Sequence, residues 1–159
     1  MRPSPFFFQQ VLDHLLSIAL VLFLMGLAVQ VYPVAQQLAE VCARVASQSD
    51  LRFDVQYHYA LTGEWPKDLD TMLRTRLRGI PYQPYAGDEV ALEDGAIRIL
   101  ATQGSIRGKV ISLRPATMAG NAIGPVAWVV GTGADVAGRA IQGLDHTTVE
   151  RDLIQDLME

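Results

Sequence analysis

The run Leu15–Val29 constrains this chain more than any other stretch. It reads Leu-Leu-Ser-Ile-Ala-Leu-Val-Leu-Phe-Leu-Met-Gly-Leu-Ala-Val and holds no charge. Extended outward to Val11 and Val31, it gives about 20 largely apolar residues, enough to cross a hydrocarbon layer roughly 30 Å thick. Inside lipid every backbone polar group must be bonded within its own segment, so such a run must be helical. Asp13 and His14 lie at its N-terminal edge. An apolar repeat continues past the lipid-length run. Val34, Leu38, Val41, Val45, Val55 and Tyr59 follow spacings of three and four, with Gln48 and Arg52 filling two steps. The pattern predicts one very long helix from Val11 to Thr62, kinked at Pro33, which removes one backbone donor. Its first half is a membrane segment and its second half an amphipathic spine.

Without the anchor about 125 residues remain, a common size for one domain. The 159-residue chain is 50% hydrophobic, but much of that excess sits in the first 34 residues. Beyond the anchor there are 12 basic and 16 acidic residues, so nothing attracts nucleic acid in general. The single cysteine, Cys42, cannot form an internal disulfide. The N-terminus carries only Arg2 and the amine as positive charge, the apolar run is long, and no good small-residue cleavage site follows it. We therefore expect an uncleaved anchor rather than a secretory signal. Arg2 and the amine favour an N-terminus inside, opposed by Arg44 and Arg52 on the far side. The expected placement is a single pass of the inner (cytoplasmic) membrane with the C-terminal domain outside the cytoplasm.

The segments follow in order. Residues 1–10 form a short N-terminal piece with Phe6, Phe7 and Phe8 at the membrane boundary. Residues 11–33 are the spanning half of the helix, and 34–159 the soluble domain, with helix over 34–62. Gly63 suits the cap after the last turn, and Pro66 suits the start of a new helix. A short helix is expected over Asp68 to Leu77, with Leu69, Met72 and Leu73 inward. Ile80 to Glu89, with Pro81, Pro84 and Gly87, reads as loop. A sheet is expected over about 90–131. Its strands are Gly95 to Thr102, Lys109 to Arg114, and a third in which Val126, Trp128 and Val130 alternate. The segment 132–159 is glycine-rich at first and closes in a turn and short helix over Thr147 to Met158. The fold class is α+β: a long N-terminal helix covered by a small antiparallel sheet of three or four strands. One sheet face meets the helix and the other meets water.

These residues resemble type IV pilins and pseudopilins over most of the chain. Tyr57-His58-Tyr59 followed by Thr62-Gly63-Glu64-Trp65-Pro66 is similar to the aromatic end of that family's long helix and its Gly-x-Trp-Pro turn. Gly95-Ala96-Ile97, Gly108 to Pro115 and Val126-Ala127-Trp128 resemble its three sheet strands, the second of which commonly ends in proline. Asp13 falls where the family has a conserved glutamate, thought to pair with the N-terminal amine of a neighbouring subunit. The chain also departs from the pattern. Phe8 and Gln9 stand where pilin precursors carry glycine and phenylalanine around their cleavage point. Pro33 must serve for a proline that would fall at Gln30, and the C-terminal disulfide loop is absent. The resemblance implies a structural or accessory role in assembling, capping or regulating a pilus or secretion fibre. Its partners would be membrane lipid and other pilin or assembly subunits.

Asp13 and His14 are the leading candidate residues, since an ionisable group in a spanning segment marks function by default. Against this, both can reach water from the membrane boundary. Ala35, Ala39 and Cys42, with Ala46, share a face and are small enough for close helix contact, as are Gly26 within the run and the Pro33 position. They would face neighbouring subunits in a fibre or the sheet in a monomer. Trp65, Tyr57 and Trp128 are read as core or turn packing. Arg74, Arg76 and Arg78 form a local basic patch. It offers DNA or acidic lipid a weak foothold, but a solvated face is the plainer reading. Asp145-His146 beside Thr147 and Thr148 has no nucleophile elbow, metal spacing or third partner. We expect no enzyme activity, cofactor or metal. The alternative to a fibre role is a membrane-tethered module that binds a ligand or DNA.

Overall fold

A computed structural model describes residues 5–74, 82–118, 124–131 and 138–150. The chain divides after Gln36, so that residues 1–36 and 37–159 form two units. Helix α1 runs from Pro5 to Ser47, with proline at its first position, where no intrahelical donor is needed. It continues through Pro33. Helix α2 follows over Ser49–Thr62. The expected unbroken helix over 34–62 is thus interrupted at Gln48. The Ser47 hydroxyl donates to the Arg44 carbonyl at 2.7 Å, and the Gln48 N–H turns to Val45 O at 3.3 Å. A serine side chain has displaced the backbone from its usual i−4 acceptor. Helical bonding resumes at once, with Arg52 N donating to Gln48 O at 2.9 Å.

Gly63 ends α2 as expected. At φ 74° it takes the left-handed conformation that closes a helix, and its N–H bonds Tyr59 O. Trp65 then stacks on Tyr59, with ring centroids 3.8 Å apart. The short helix α3 covers Leu69–Arg74. Asp68 caps it, accepting from Thr71 N at 2.6 Å and from the Thr71 hydroxyl at 2.9 Å. Met72 is buried and Leu69 half-buried, but Leu73 faces water, because six residues turn only one narrow stripe inward.

Among the described residues the sheet has five antiparallel strands rather than three or four. They are β1 Glu89–Glu93, β2 Ala96–Leu100, β3 Val110–Met118, β4 Ala127–Val130 and β5 Arg139–Ile141. The order is β1-β2-β3-β4, with β5 also pairing β3. The loop expected up to Glu89 therefore stops short of it: a 3-10 turn at Tyr85–Gly87 leads into β1. The β1–β2 hairpin closes on Asp94-Gly95, both at positive φ, the two-residue turn that matches strand twist. Gly95 is required twice, since an added Cβ would lie 2.8 Å from the Trp65 ring.

Strand β3 does not stop at Pro115. Its pairing with β2 ends at Leu113 and that with β5 begins at Ala116. Pro115 O accepts from Gln142 N on the β2/β5 side, so its missing N–H falls at the gap between those two strands. Ile97, Ile99, Ile111 and Leu113 share one face and form the core with Val41, Leu51 and Val55 of the helices. The opposite face is not left to water. Ser112, Ala116 and Val129 are buried there, and the chain after β5 crosses it, with His146 N donating to Ser112 Oγ at 2.9 Å. Residues 147–150 are not helical. Thr147 and Thr148 hydroxyls accept from Ser112 N and Val110 N, closing the β3 edge beyond β4. The rest of the expected C-terminal helix lies outside the described residues.

Candidate functional site

The largest unexplained surface is on α1. From Leu12 to Val34 fifteen large hydrophobic side chains are each between 44% and 76% exposed. This is the one stretch among the described residues that is long and apolar enough to cross a membrane, and none of it is buried. Burial of a large apolar side chain is worth about 1.5–3 kcal/mol. Leaving fifteen in water would forgo some tens of kcal/mol, more than the ~5–15 kcal/mol that holds a typical domain together. The segment therefore needs a covering that its own unit does not supply.

Asp13 and His14 are exposed on this helix. Ser17 Oγ donates to the Asp13 carbonyl at 2.8 Å, a local bond that leaves the Asp13 carboxylate out of the pairing. A Cβ placed on Gly26 would meet nothing, so that position is an open notch. Pro33 and Ala35 are exposed on the same element. In the unit 37–159, Ala39 and Ala46 face outward and Cys42 is half-buried, so this stripe lies off the buried face of the helix. The buried face departs from the expected apolar stripe. Val34 is exposed, and the fully buried positions after it are Val41, Arg44, Gln48, Leu51 and Val55. Tyr57, read as packing, points outward and stacks loosely on Phe53 at 6.3 Å between centroids. Arg74 is exposed at the end of α3, while Arg76 and Arg78 lie outside the described residues.

No local pattern in the chain announces the buried cluster around Arg44. Arg44 is 1% exposed. Nε donates to Asp88 Oδ2 at 2.8 Å, Nη2 to the Gln103 carbonyl at 2.7 Å, and Nη1 to the carbonyl and carboxylate of Glu40 at 3.3 Å. The Tyr85 ring covers it at 5.3 Å. Asp88 Oδ1 accepts from Thr102 N at 3.0 Å, and the Glu40 carboxylate accepts from Ser105 N at 3.0 Å. Every guanidinium nitrogen has an acceptor, which is what makes a buried charge tolerable. The cluster joins the end of α1 to the approach to β1 and to the β2–β3 turn.

A groove of about 250 Å³ lies between α2 and the residues before β4, lined by Phe53, Gln56, Tyr57, Ala60, Pro125 and Val126. Asp145 and His146 do structural work: Asp145 Oδ1 accepts from Thr147 N, and the imidazole stands 3.6 Å from Glu93. Among the described residues no group of His, Cys, Asp and Glu could hold a metal ion. Burial lowers the pKa of Arg52 below its ordinary value. No protein-family model matches the chain, and no curated protein sequence matches it.

Proposed function

We propose that this is a single-pass membrane protein whose α+β domain serves a structural or accessory role in a type IV pilus or type II secretion-type fibre. One observation carries the membrane part: the fully exposed apolar face of α1, whose energetic demand only lipid or other apolar helices can meet. The fibre part rests on the order of elements. An apolar N-terminal helix, a glycine-capped second helix followed by Trp65-Pro66, and an antiparallel sheet follow one another as the pilin resemblance implies. In this reading α1 packs laterally on pilin helices, with Asp13 selecting partner or register, and Gly26, Ala35, Ala39 and Cys42 allow close approach.

The test is capture from detergent-solubilised membranes. Pilin-like or assembly subunits should be recovered with the full chain, and recovery should fall with Asp13→Asn and vanish without the apolar segment. Recovery of no such subunit would remove the fibre role and leave the membrane placement standing. The second reading is a membrane-tethered binding module, which the Phe53–Val126 groove favours. In that case the domain from Ala35 onward binds its ligand by itself.

A further inference from the structure

The helical region of the unit 37–159 is held in two unlike ways on either side of Gln48. Before it, residues 37–47 bury only one apolar side chain completely, Val41, with Leu38 and Val45 partly covered. Their main attachment is polar: Arg44 on Asp88 and the Gln103 carbonyl, and Glu40 on Ser105 N. After it, α2 is attached by the fully buried Leu51 and Val55 and ends in the Tyr59–Trp65 stack. Between them the backbone ladder is broken. Ser47 Oγ has taken the Arg44 carbonyl, and Gln48 N bonds Val45 O. Gln48 itself is fixed: it is 1% exposed, and its Oε1 accepts from the Tyr82 hydroxyl at 2.5 Å.

We propose that Gln48 is a hinge and Arg44 a catch, so that residues 37–47 leave the sheet as a separate arm while α2 stays docked. A local unit of this kind opens when few apolar contacts hold it and a break uncouples it from its neighbour. The catch is directional. Apolar contacts weaken gradually as surfaces separate, but a guanidinium that must meet both the Asp88 carboxylate and the Gln103 carbonyl in fixed geometry is either seated or lost. Tyr82 keeps the pivot in place while the arm moves. Opening uncovers the β2–β3 turn at Gln103–Ser105.

Hydrogen exchange read by mass spectrometry on the full chain in detergent tests this. In the unaltered protein, rising urea should release the amides of 37–47 before those of 51–62. In the double variant Arg44→Met/Asp88→Leu, which removes the catch without stranding a buried charge, amides of 37–47 should exchange roughly tenfold faster or more while those of 51–62 stay unchanged. Arg44→Lys, which keeps the charge but not the fork, should fall between. Equal acceleration of both segments, no acceleration of either, or simultaneous release in urea would overturn the proposal. A double variant that fails to fold would also overturn it, because a catch on a separable arm leaves α2 and the sheet standing.

Discussion

Two stretches of helix in this chain are rich in the same aliphatic residues and end in opposite environments. From Leu12 to Val34 the apolar side chains surround the helix and all stand exposed. From Leu38 to Val55 they fall on one side, interrupted by Arg44, Gln48 and Asp54, and the best placed of them are wholly buried. The difference lies in arrangement rather than amount. A helix that is apolar all round has no polar face to show to water and must find another solvent. A striped helix can be covered by the chain's own sheet. The first stretch therefore carries its information in composition, and the second in periodicity and a few polar contacts.

The sharpest way to break this comparison is to place charge in each stretch. Leu20→Arg with Leu24→Arg should cost about 5–7 kcal/mol of membrane partition, at ~2.5–3.5 kcal/mol per arginine near a helix centre. Ala39→Arg with Ala46→Arg, on the exposed face of the second stretch, should change stability by about 0.5 kcal/mol or less. Vesicle flotation and urea unfolding read the two effects. Next in size, Arg44→Ala should destabilise the domain by about 3–5 kcal/mol, since it leaves Asp88 buried without its partner. Ile111→Ala, at a position with no exposure, should cost about 2–5 kcal/mol in the same urea measurement. Leu22→Ala, in the exposed stretch, should leave the domain's unfolding midpoint where it is. The smallest effect concerns Asp68, whose pKa is held below the ordinary carboxylate value, first by the Thr71 backbone N–H and then by the Thr71 hydroxyl. A depressed folded-state pKa contributes stability that is fully present above the unfolded value near 3.9 and is lost as pH falls through the folded value. The Thr71 amide signal should thus shift only in acid, and Asp68→Asn should abolish that shift.

Much of the layout was legible because its signals are local. Gly63 announces the end of α2, Pro66 and Asp68 the start of α3, and alternation the cores of β2, β3 and β4. Strand β1 was also within reach: Asp94-Gly95 is a strong hairpin signal, with Val90 and Leu92 alternating before it as Ile97 and Ile99 do after it. Strand β5 has three residues and is defined only by its distant partners on β3, so nothing nearby marks it. Pro115 misled because a proline ends a strand only where its missing donor would be needed. The break at Gln48 depends on which carbonyl the Ser47 hydroxyl chooses, and the Arg44 cluster on Asp88, 44 positions away. An arginine inside an apolar stripe reads as a solvated step until its partner is seen. Of the candidate site, the exposed apolar face was plain from composition, whereas Asp13 and His14 stand exposed, with nothing in their burial to single them out.

The central claim is that α1 is covered by lipid from about Leu12 to Val34. Its most direct test is the lipid exposure of single spin labels placed one by one along that stretch in reconstituted vesicles. The account predicts a continuous block of about 20 positions in which oxygen, which concentrates in hydrocarbon, relaxes the label more than a water-soluble reagent does. Beyond Gln36 that preference should end. Water access throughout the block, or oxygen access alternating with a helical period, would show a helix lying on a surface or against protein and would contradict the claim.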